Sequence, residues 1–593
     1  MKRVREQREE LLLRVPKLQI AFAVILLIIA TAYWRVQVVR GEYFHGLAEN
    51  NRLRRVPIKA PRGLIYDREG RLLVDNVPSY NLLLDRSRSR DVAAALEFAS
   101  DVLDRETADL ADTVAREAGR SQFDPVLLGE NLSLAEVSQI SVAELDFPEF
   151  LIDIEHLRLY RHGPLTAHAL GYLGEASEAD LTRDPENYRP GDLVGRKGVE
   201  RVFDLHLRGS DGEREVVVDS RGRTRDEHGR RASVAGRNLQ LTLDLELQQE
   251  AARYLEGHAG SAVALDPRSG EVLMLVSAPS YNPNLFTRRL NSEQWRSLVE
   301  APHHPLQNRT IQNAHAPGST FKMVLAAAGL NERAISPSDA VFCAGSIKIY
   351  NRRTRCHLQR GHGWVNMRTA LKRSCDIYFY LLGQKLGINR IAHYARLFGL
   401  GRPTGFDIPG EKAGLIPDTD WSLRRRKSPW YPGETISVAI GQGPILVTPM
   451  QLATSIAAFA NKGRLVTPHV TGGRAPSLSD PIDIDPKAID LVREAMWAVV
   501  NEERGTGYSV RLPNVEIAGK TGTVQVVEQK TWTRNEDLPE DQRDHAWFVS
   551  FAPMENPELV VVALVEHGGH GSDMAAPLVK KVYESYFGQP DPS

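Results

Sequence analysis

Cysteine is nearly absent from this chain: 593 residues carry three, Cys343, Cys356 and Cys375. An odd number excludes a disulfide framework that uses every thiol. Net charge is missing as well. With 74 basic against 75 acidic residues and a pI near 7.0, no bulk field draws in nucleic acid or an anionic surface, so no nucleic-acid partner is expected. Long apolar runs reduce to one, Ile20 to Trp34, broken only by Thr31. No repeat of solenoid period is present. The charged, Arg-rich and irregular stretch from Tyr43 to Val234 has no glycosyltransferase-sized catalytic signature.

The single apolar run follows Lys2, Arg3, Arg5, Arg8 and Arg14 and leads into Val36, Val38 and Val39. It reads as one membrane anchor over 18–39, somewhat short, with Arg35 free to snorkel. The positive flank keeps residues 1–17 in the cytoplasm and exports the rest. Ala30-Thr31-Ala32 also offers a signal-peptidase site, so a cleaved leader is the alternative; the long n-region of mixed charge favours the anchor. The roughly 550 residues beyond it exceed what one core serves, and more than one domain is expected. The seam lies in Gly209 to Asn238, rich in Gly, Arg, Asp and Ser, with a short strand Glu213 to Asp219 inside it.

Three short motifs follow in fixed order: Ser319-Thr-Phe-Lys322, Ser374-Cys375-Asp376 and Lys520-Thr521-Gly522-Thr523. Ser319 comes after His-Ala-Pro-Gly and opens the run Phe-Lys-Met-Val-Leu-Ala-Ala-Ala, the first turn of a buried helix. Positions i and i+3 share a helix face, which puts the Lys322 amine within reach of the Ser319 hydroxyl. A serine is a poor nucleophile until its proton is taken, and a desolvated lysine takes it when part of it is neutral. A backbone N–H at a helix start favours a developing oxyanion. Val515 to Val526 reads as a strand in which Gly522 lets a substrate backbone approach and Lys520 with the two hydroxyls faces an anionic group. Taken singly, Ser319 also suits a plain helix cap and Lys-Thr-Gly a plain edge strand; the ordered set specifies acyl transfer.

Around these motifs the texture is α+β. Leu239 to Leu243, Gly260 to Asp266 and Glu271 to Ser277 read as strands near the helix Leu245 to Leu255. Ala546 to Phe551 and Leu559 to Glu566 form a hairpin, and Met574 to Tyr586 a closing helix. With the Lys520 strand this gives about five strands, mostly antiparallel, flanked by helices. Thr531 to Asp544 reads as a polar loop beside the Lys520 strand.

The motif set resembles that of the penicillin-binding proteins and serine β-lactamases, S-x-x-K, S-x-N and K-T/S-G. Pro61-Arg62-Gly63-Leu64-Ile65-Tyr66-Asp67-Arg68 and Gly195-Arg196-Lys197-Gly198-Val199-Glu200 resemble motifs of the pedestal of class B penicillin-binding proteins, elongation type above all. The resemblance implies an anchor, an elongated pedestal (dimerisation) domain over 40–235 and a β-lactamase-like transpeptidase domain over 236–593. It implies peptidoglycan D,D-transpeptidation in cell elongation, covalent inhibition by β-lactams, and a catalytic domain in the periplasm on the bacterial inner membrane. Ser319 would be the nucleophile, Lys322 its base and Ser374 a proton relay. Lys520, Thr521 and Thr523 would hold the stem-peptide carboxylate, and the Thr523 N–H would complete the oxyanion hole. A polytopic glycosyltransferase of the shape, elongation, division and sporulation class is the implied partner. A division-type transpeptidase or a D,D-carboxypeptidase is the alternative. Class A β-lactamase chemistry needs a Glu-activated water, and no E-x-x-L-N follows Ser374 at a suitable distance.

The second motif ends in Asp376 where much of the wider family has Asn, although elongation-type members also carry Asp. An anion here favours the charged form of Lys322, so relay through Ser374 and an orienting role for Asp376 are expected. The cysteines lie within 33 residues, together with His357 and His362. Cys343, Cys356, His362 and Cys375 make a donor set for a closed tetrahedral zinc site of structural type, with His357 the alternate; one disulfide plus a buried thiol is the competing reading. Elongation-type relatives include members with zinc near the active site, held partly by acidic ligands that Cys would replace here.

Overall fold

The computed structural model describes residues 2–43, 53–117, 119, 125–218, 224–287, 290, 292–527 and 535–588. Packing divides the chain into two compact units, one of residues 1–61, 78–157 and 209–236, the other of 62–77, 158–208 and 237–593. The pedestal expected over 40–235 therefore does not coincide with one packing unit.

The first unit begins with the helix Lys2–Trp34, extended by a wider turn Arg35–Val39. Val15–Val39 has mean hydropathy 2.1 and is long and apolar enough to cross a membrane. A three-stranded antiparallel sheet has Gly212–Val218 between Leu53–Ile58 and Thr224–Arg231. Its middle strand is the one expected inside the seam, except that Asp219 lies outside the described residues. A small core of Leu82, Leu84, Leu96, Leu110, Leu128 and Ile140 closes around the stacked rings of Phe98 and Phe147.

The second unit is built on a five-stranded sheet, in the order Val272–Ala278, Gly260–Leu265, Leu559–Val565, His545–Ala552 and Ala518–Val524, antiparallel throughout. Alternate residues divide between two cores, as the period of two along a strand requires. Ala262, Ala264, Val561 and Ala563 meet the helices Leu245–Tyr254 and Ala575–Phe587 on one face. Val263, Leu265, Val562 and Leu564 meet Pro449–Ala460 on the other, in the same core as Lys322–Asn331. Both faces being covered, Gly260–Leu265, Val272–Ala278 and Leu559–Val565 are apolar at nearly every position, whereas the edge strand Ala518–Val524 carries Lys520, Thr521 and Thr523. One expected strand goes elsewhere: Leu239–Gln240 pairs in parallel with Ile65–Tyr66, in a different sheet. The final strand is also shorter than Val515 to Val526.

The two early motifs meet in a buried charge network. Arg62 donates to Glu200 and Asp204, both at 2.9 Å, and Arg158 donates to Glu200 at 2.8 Å. Burial alone would raise the Glu200 carboxyl, but Arg158 and Arg62 hold it below its ordinary value. Gly63 and Gly195 have no room for a Cβ, which would stand 1.9 Å from the Arg237 and Glu200 carbonyl oxygens respectively. Glu200→Ala, which leaves the buried Arg158 without its carboxylate and Arg62 with Asp204 alone, is expected to cost about 3–5 kcal/mol in denaturant unfolding. Because the folded-state value of Glu200 is depressed, its contribution is present above the ordinary carboxylate range and fades as pH falls through the folded value. The wild type, but not the Glu200→Ala protein, should lose that increment on acidification.

Candidate active site

Gly318–Phe321 form a tight 3-10 turn that runs into the helix Lys322–Asn331, so the regular helix starts at Lys322, three residues after Ser319. Gly318 has φ of +56°, and a Cβ there would approach the Thr523 carbonyl oxygen to 2.7 Å. The Gly318 N–H donates to the Gly441 carbonyl at 2.9 Å, and the Trp547 indole donates to the Ala316 carbonyl at 3.1 Å. The serine's turn is thus pinned to the edge strand and its neighbour.

Lys322 is fully buried. Its ammonium donates to Asp376 Oδ1 at 2.6 Å, the Ser374 carbonyl at 2.9 Å and Ser374 Oγ at 3.4 Å. Among the described hydrogen bonds of Lys322 none ends on Ser319 Oγ, the hydroxyl that helical spacing puts within its reach. The ion pair with Asp376 turns the ammonium toward the second motif, which helical spacing cannot reveal. Phe379, one turn into the helix Asp376–Leu397, lies under the same ammonium at 5.5 Å.

Ser374 adopts a left-handed backbone, φ +54°, at a cost of about 1–2 kcal/mol for a residue with a side chain. That conformation turns the chain from the short helix Met367–Lys372 into the long one and aims Ser374 Oγ between two lysines. Lys520 Nζ donates to the same oxygen at 3.0 Å. Burial depresses the basicity of Lys520 well below its ordinary value; the Lys322 charge adds to the effect and Asp376 opposes it. For Asp376 burial acts upward, but Lys322 and His357 outweigh it and hold the carboxyl low.

The remaining predicted residues gather on the edge strand. Thr521 Oγ1 donates to Thr506 Oγ1 at 2.8 Å, and Thr523 Oγ1 accepts from the Gly571 N–H at 3.4 Å. Gly522 does a different job from the one expected. A Cβ there would lie 2.9 Å from Thr320 Cγ2, 2.9 Å from Trp547 Cβ and 3.1 Å from the Pro317 carbonyl oxygen, so the glycine admits the protein's own serine turn. Thr506, Gln442, whose amide donates to the Thr523 carbonyl at 3.1 Å, and Gly441 also belong to the site. Only the glycine-rich Ile440-Gly-Gln-Gly443 hints at them in the sequence. Of the expected loop Thr531 to Asp544, residues 531–534 lie outside the described residues; Asp544 is tied back through its N–H to Asn535 at 2.9 Å.

Cys343, Cys356, His362 and Cys375 converge, all buried and all free thiols, with their donor atoms within 4.8 Å of one another. His362 Nδ1 stands 3.5 Å from both Cys343 Sγ and Cys356 Sγ. The Cys375 thiol, hydrogen-bonded to Cys356, pushes the Cys356 thiol far down, and its own affinity for a proton rises in step. His357 turns instead toward Asp376, its backbone N–H donating to Oδ2 at 2.8 Å. Three thiols and an imidazole in a buried cage are a donor set that suits zinc.

Family models for the penicillin-binding protein dimerisation domain and the penicillin-binding protein transpeptidase domain match residues 57–241 and 260–584. The chain belongs to the class B penicillin-binding proteins. Within that class it falls with penicillin-binding protein 2. It is 37% identical over 577 residues to the peptidoglycan D,D-transpeptidase MrdA of Acinetobacter baumannii, covering 95% of this chain and 85% of that one. The Helicobacter pylori penicillin-binding protein 2, solved in complex with MreC, superposes with a TM-score of 0.81 at 29% identity over 90% of this chain and 99% of its own. A chain from a structure describing a peptidoglycan synthase complex that coordinates polymerization and crosslinking superposes with a TM-score of 0.73 at 30% identity, over 98% of this chain and 99% of that one.

Gly522→Ala tests the packing of the serine turn. The added methyl must displace Thr320 or Trp547, and misplacement of the serine turn by under an ångström is expected to slow acylation by penicillin by about 10- to 100-fold, with a small loss of thermal stability. Stopped-flow acylation with a fluorescent penicillin reads the first, and thermal unfolding reads the second.

Proposed function

We infer that this chain is the peptidoglycan D,D-transpeptidase of cell elongation, acting through an acyl-serine. The observation that carries the reading is the convergence of Lys322 and Lys520 on Ser374 Oγ, with Asp376 paired to Lys322, in a buried pocket beside the turn that bears Ser319. Ser319 Oγ attacks the carbonyl of the penultimate D-Ala of a stem peptide. The oxyanion forms against the N–H groups of Ser319 and Thr523. The C–N bond to the terminal D-Ala breaks and the departing amine takes a proton. An amine of a neighbouring stem peptide then attacks the ester, completing the cross-link and returning the proton to Ser319. Water in place of that amine gives D,D-carboxypeptidation.

The proton route follows from charge. One carboxylate, Asp376, faces two buried lysines, so one positive charge is compensated and the second ammonium is disfavoured, most at Lys520. A substrate carboxylate beside Lys520, Thr521 and Thr523 makes the Lys520 cation favourable again. The proton passes from Lys322 through Ser374 Oγ to Lys520, leaving Lys322 neutral and able to take the proton of Ser319. Asp376 orients Lys322 throughout.

A zinc ion held by Cys343, Cys356, His362 and Cys375 would be structural. It would supply no Lewis acid to the reaction but would clamp the loop carrying Ser374 and Asp376. On the same reading the Val15–Val39 helix is an inner-membrane anchor, with a cytoplasmic N-terminus and a periplasmic catalytic domain. The likeness to a peptidoglycan synthase complex supports a glycosyltransferase partner of the shape, elongation, division and sporulation class.

A labelled penicillin should add one adduct mass, mapped to Ser319 and lost in Ser319→Ala, while Lys322→Ala slows its formation by about 10²- to 10⁴-fold. A folded wild-type protein that gains no adduct refutes the reading. Elemental analysis of the purified chain should find one zinc, absent in Cys343→Ser/Cys356→Ser; a metal-free wild type with titratable thiols refutes the zinc site.

A further inference from the structure

Between Val341 and Arg373 the sequence holds eight Lys or Arg and no Asp or Glu, although charges balance over the whole chain. Residues 341–365, which carry Lys348, Arg352, Arg353, Arg355 and Arg360, fold into two small antiparallel ladders, Val341–Cys343 with Gly363–Val365 and Ser346–Ile349 with Arg352–Arg355. The other three cations lie on or just after the helix Met367–Lys372, where Arg368 and Lys372 pair with Glu502. On the first, Cys343 turns inward to the thiol cluster, so the alternation of the strand sends Phe342 outward. Phe342 sits directly opposite Trp364, with ring centroids 5.5 Å apart and edge to face. The two remain 55% and 71% exposed, a large aromatic pair left in water.

The second ladder is stranger in its charges. Lys348 stands directly opposite Arg353, both exposed, a like-charged cross-strand pair that weakens the hairpin. Its turn is made by Tyr350 and Asn351 with φ of +48° and +62°; a tyrosine in that region is strained, and Tyr350 is exposed. Neither the opposed cations nor the strained tyrosine helps the fold. Both make sense if an anionic ligand with flat apolar faces lies over them. The same segment supplies Cys356, which accepts from the Asp376 N–H at 3.4 Å, and His357, which donates to the Asp376 carboxylate. The ladders are therefore joined, through Cys356 and His357, to the carboxylate that pairs with Lys322, while their exposed side chains make no contact with that carboxylate among the described hydrogen bonds.

We propose that this face docks a glycan–peptide strand, with Phe342, Trp364 and Tyr350 stacking on sugar rings and Lys348, Arg353 and Arg360 pairing with the carboxylates of uncross-linked stem peptides. The proposal rests on the transpeptidase reading, which requires strands to be delivered to Ser319. Charge complementarity selects this occupant: the uncross-linked strand joins repeated carboxylates to repeated sugar faces, matching cations interleaved with aromatics.

The test uses the full-length protein in detergent and three probes: soluble uncross-linked peptidoglycan strands, the same strands with amidated carboxylates, and vesicles of anionic phospholipid. Two variants are compared with wild type, Phe342→Ala/Trp364→Ala and Lys348→Glu/Arg353→Glu; the second keeps like charges opposed, so the hairpin bears the same internal strain. Each variant is expected to bind strands about tenfold more weakly, a change of about 1.4 kcal/mol, and amidation should weaken wild-type binding to a similar degree. Penicillin acylation of Ser319 should stay within about twofold of wild type in both, showing the site intact. Unchanged strand affinity in both variants overturns the proposal, as does vesicle binding that the variants abolish while strand binding persists. Acylation and strand binding are read separately, so a wild type that binds strands without acylating refutes the transpeptidase reading, and one that acylates but binds no strands refutes the docking face alone.

Discussion

Two lysine ammoniums packed against one hydroxyl in a water-excluded pocket form an unstable arrangement unless an anion is present, and Asp376 is that anion. Lys322 and Lys520 are both fully buried and both donate to Ser374 Oγ. Removing either charge from water costs several kcal/mol, which only close opposite charge and hydrogen bonds offset. Asp376 does this at 2.6 Å from Lys322, from the first turn of a helix whose N-terminus favours a carboxylate. Its other oxygen is held by His357, next in sequence to Cys356. The carboxylate that balances the site is thereby tied to the thiol cluster, so the geometry of the reacting groups depends on a segment that takes no part in the chemistry.

The sheet serves the same constraint from the other side. The edge strand carrying Lys520 can come close to the serine turn only because Gly318 and Gly522 present no side chains to each other's backbone and neighbours. Apolar strands buried on both faces make that edge rigid, and Trp547 on the adjacent strand locks the residues just before Ser319 through its indole N–H. Precision at the site is a consequence of packing two helical layers on one sheet.

Much of this was legible in the residues. Apolar runs bounded by turn residues give the strands 260–265, 272–278, 545–552 and 559–565 because nothing in those segments competes with burial. The order of the three motifs gives the site, and the crowding of Cys343, Cys356 and Cys375 with His362 anticipates their convergence. What stayed hidden is long-range pairing. Leu239–Gln240 looks like a strand of the central sheet, yet its partner is Ile65–Tyr66, chosen by a contact across 174 residues that no local pattern encodes. Thr506 reaches Thr521 through a loop with no motif of its own, and Gly522 reads as a gap for substrate although the space is filled by Thr320 and Trp547. Helical spacing brings Lys322 near Ser319, but the direction of a flexible amine is set by its strongest partner, which is Asp376.

The charge count of the pocket also explains why a substrate with a free carboxylate suits it. Two ammoniums and one carboxylate leave an excess positive charge when both lysines are protonated, and burial resolves the excess by weakening Lys520 as a base. A terminal D-Ala carboxylate, or the carboxylate of a β-lactam, supplies the missing negative charge in the same pocket. On the proton route proposed above, binding and activation are one event, because the charge that restores Lys520 as a cation draws its proton through Ser374 from Lys322. On the same proposed route a ligand without that carboxylate does not trigger the relay, so discrimination against neutral peptides needs no steric gate.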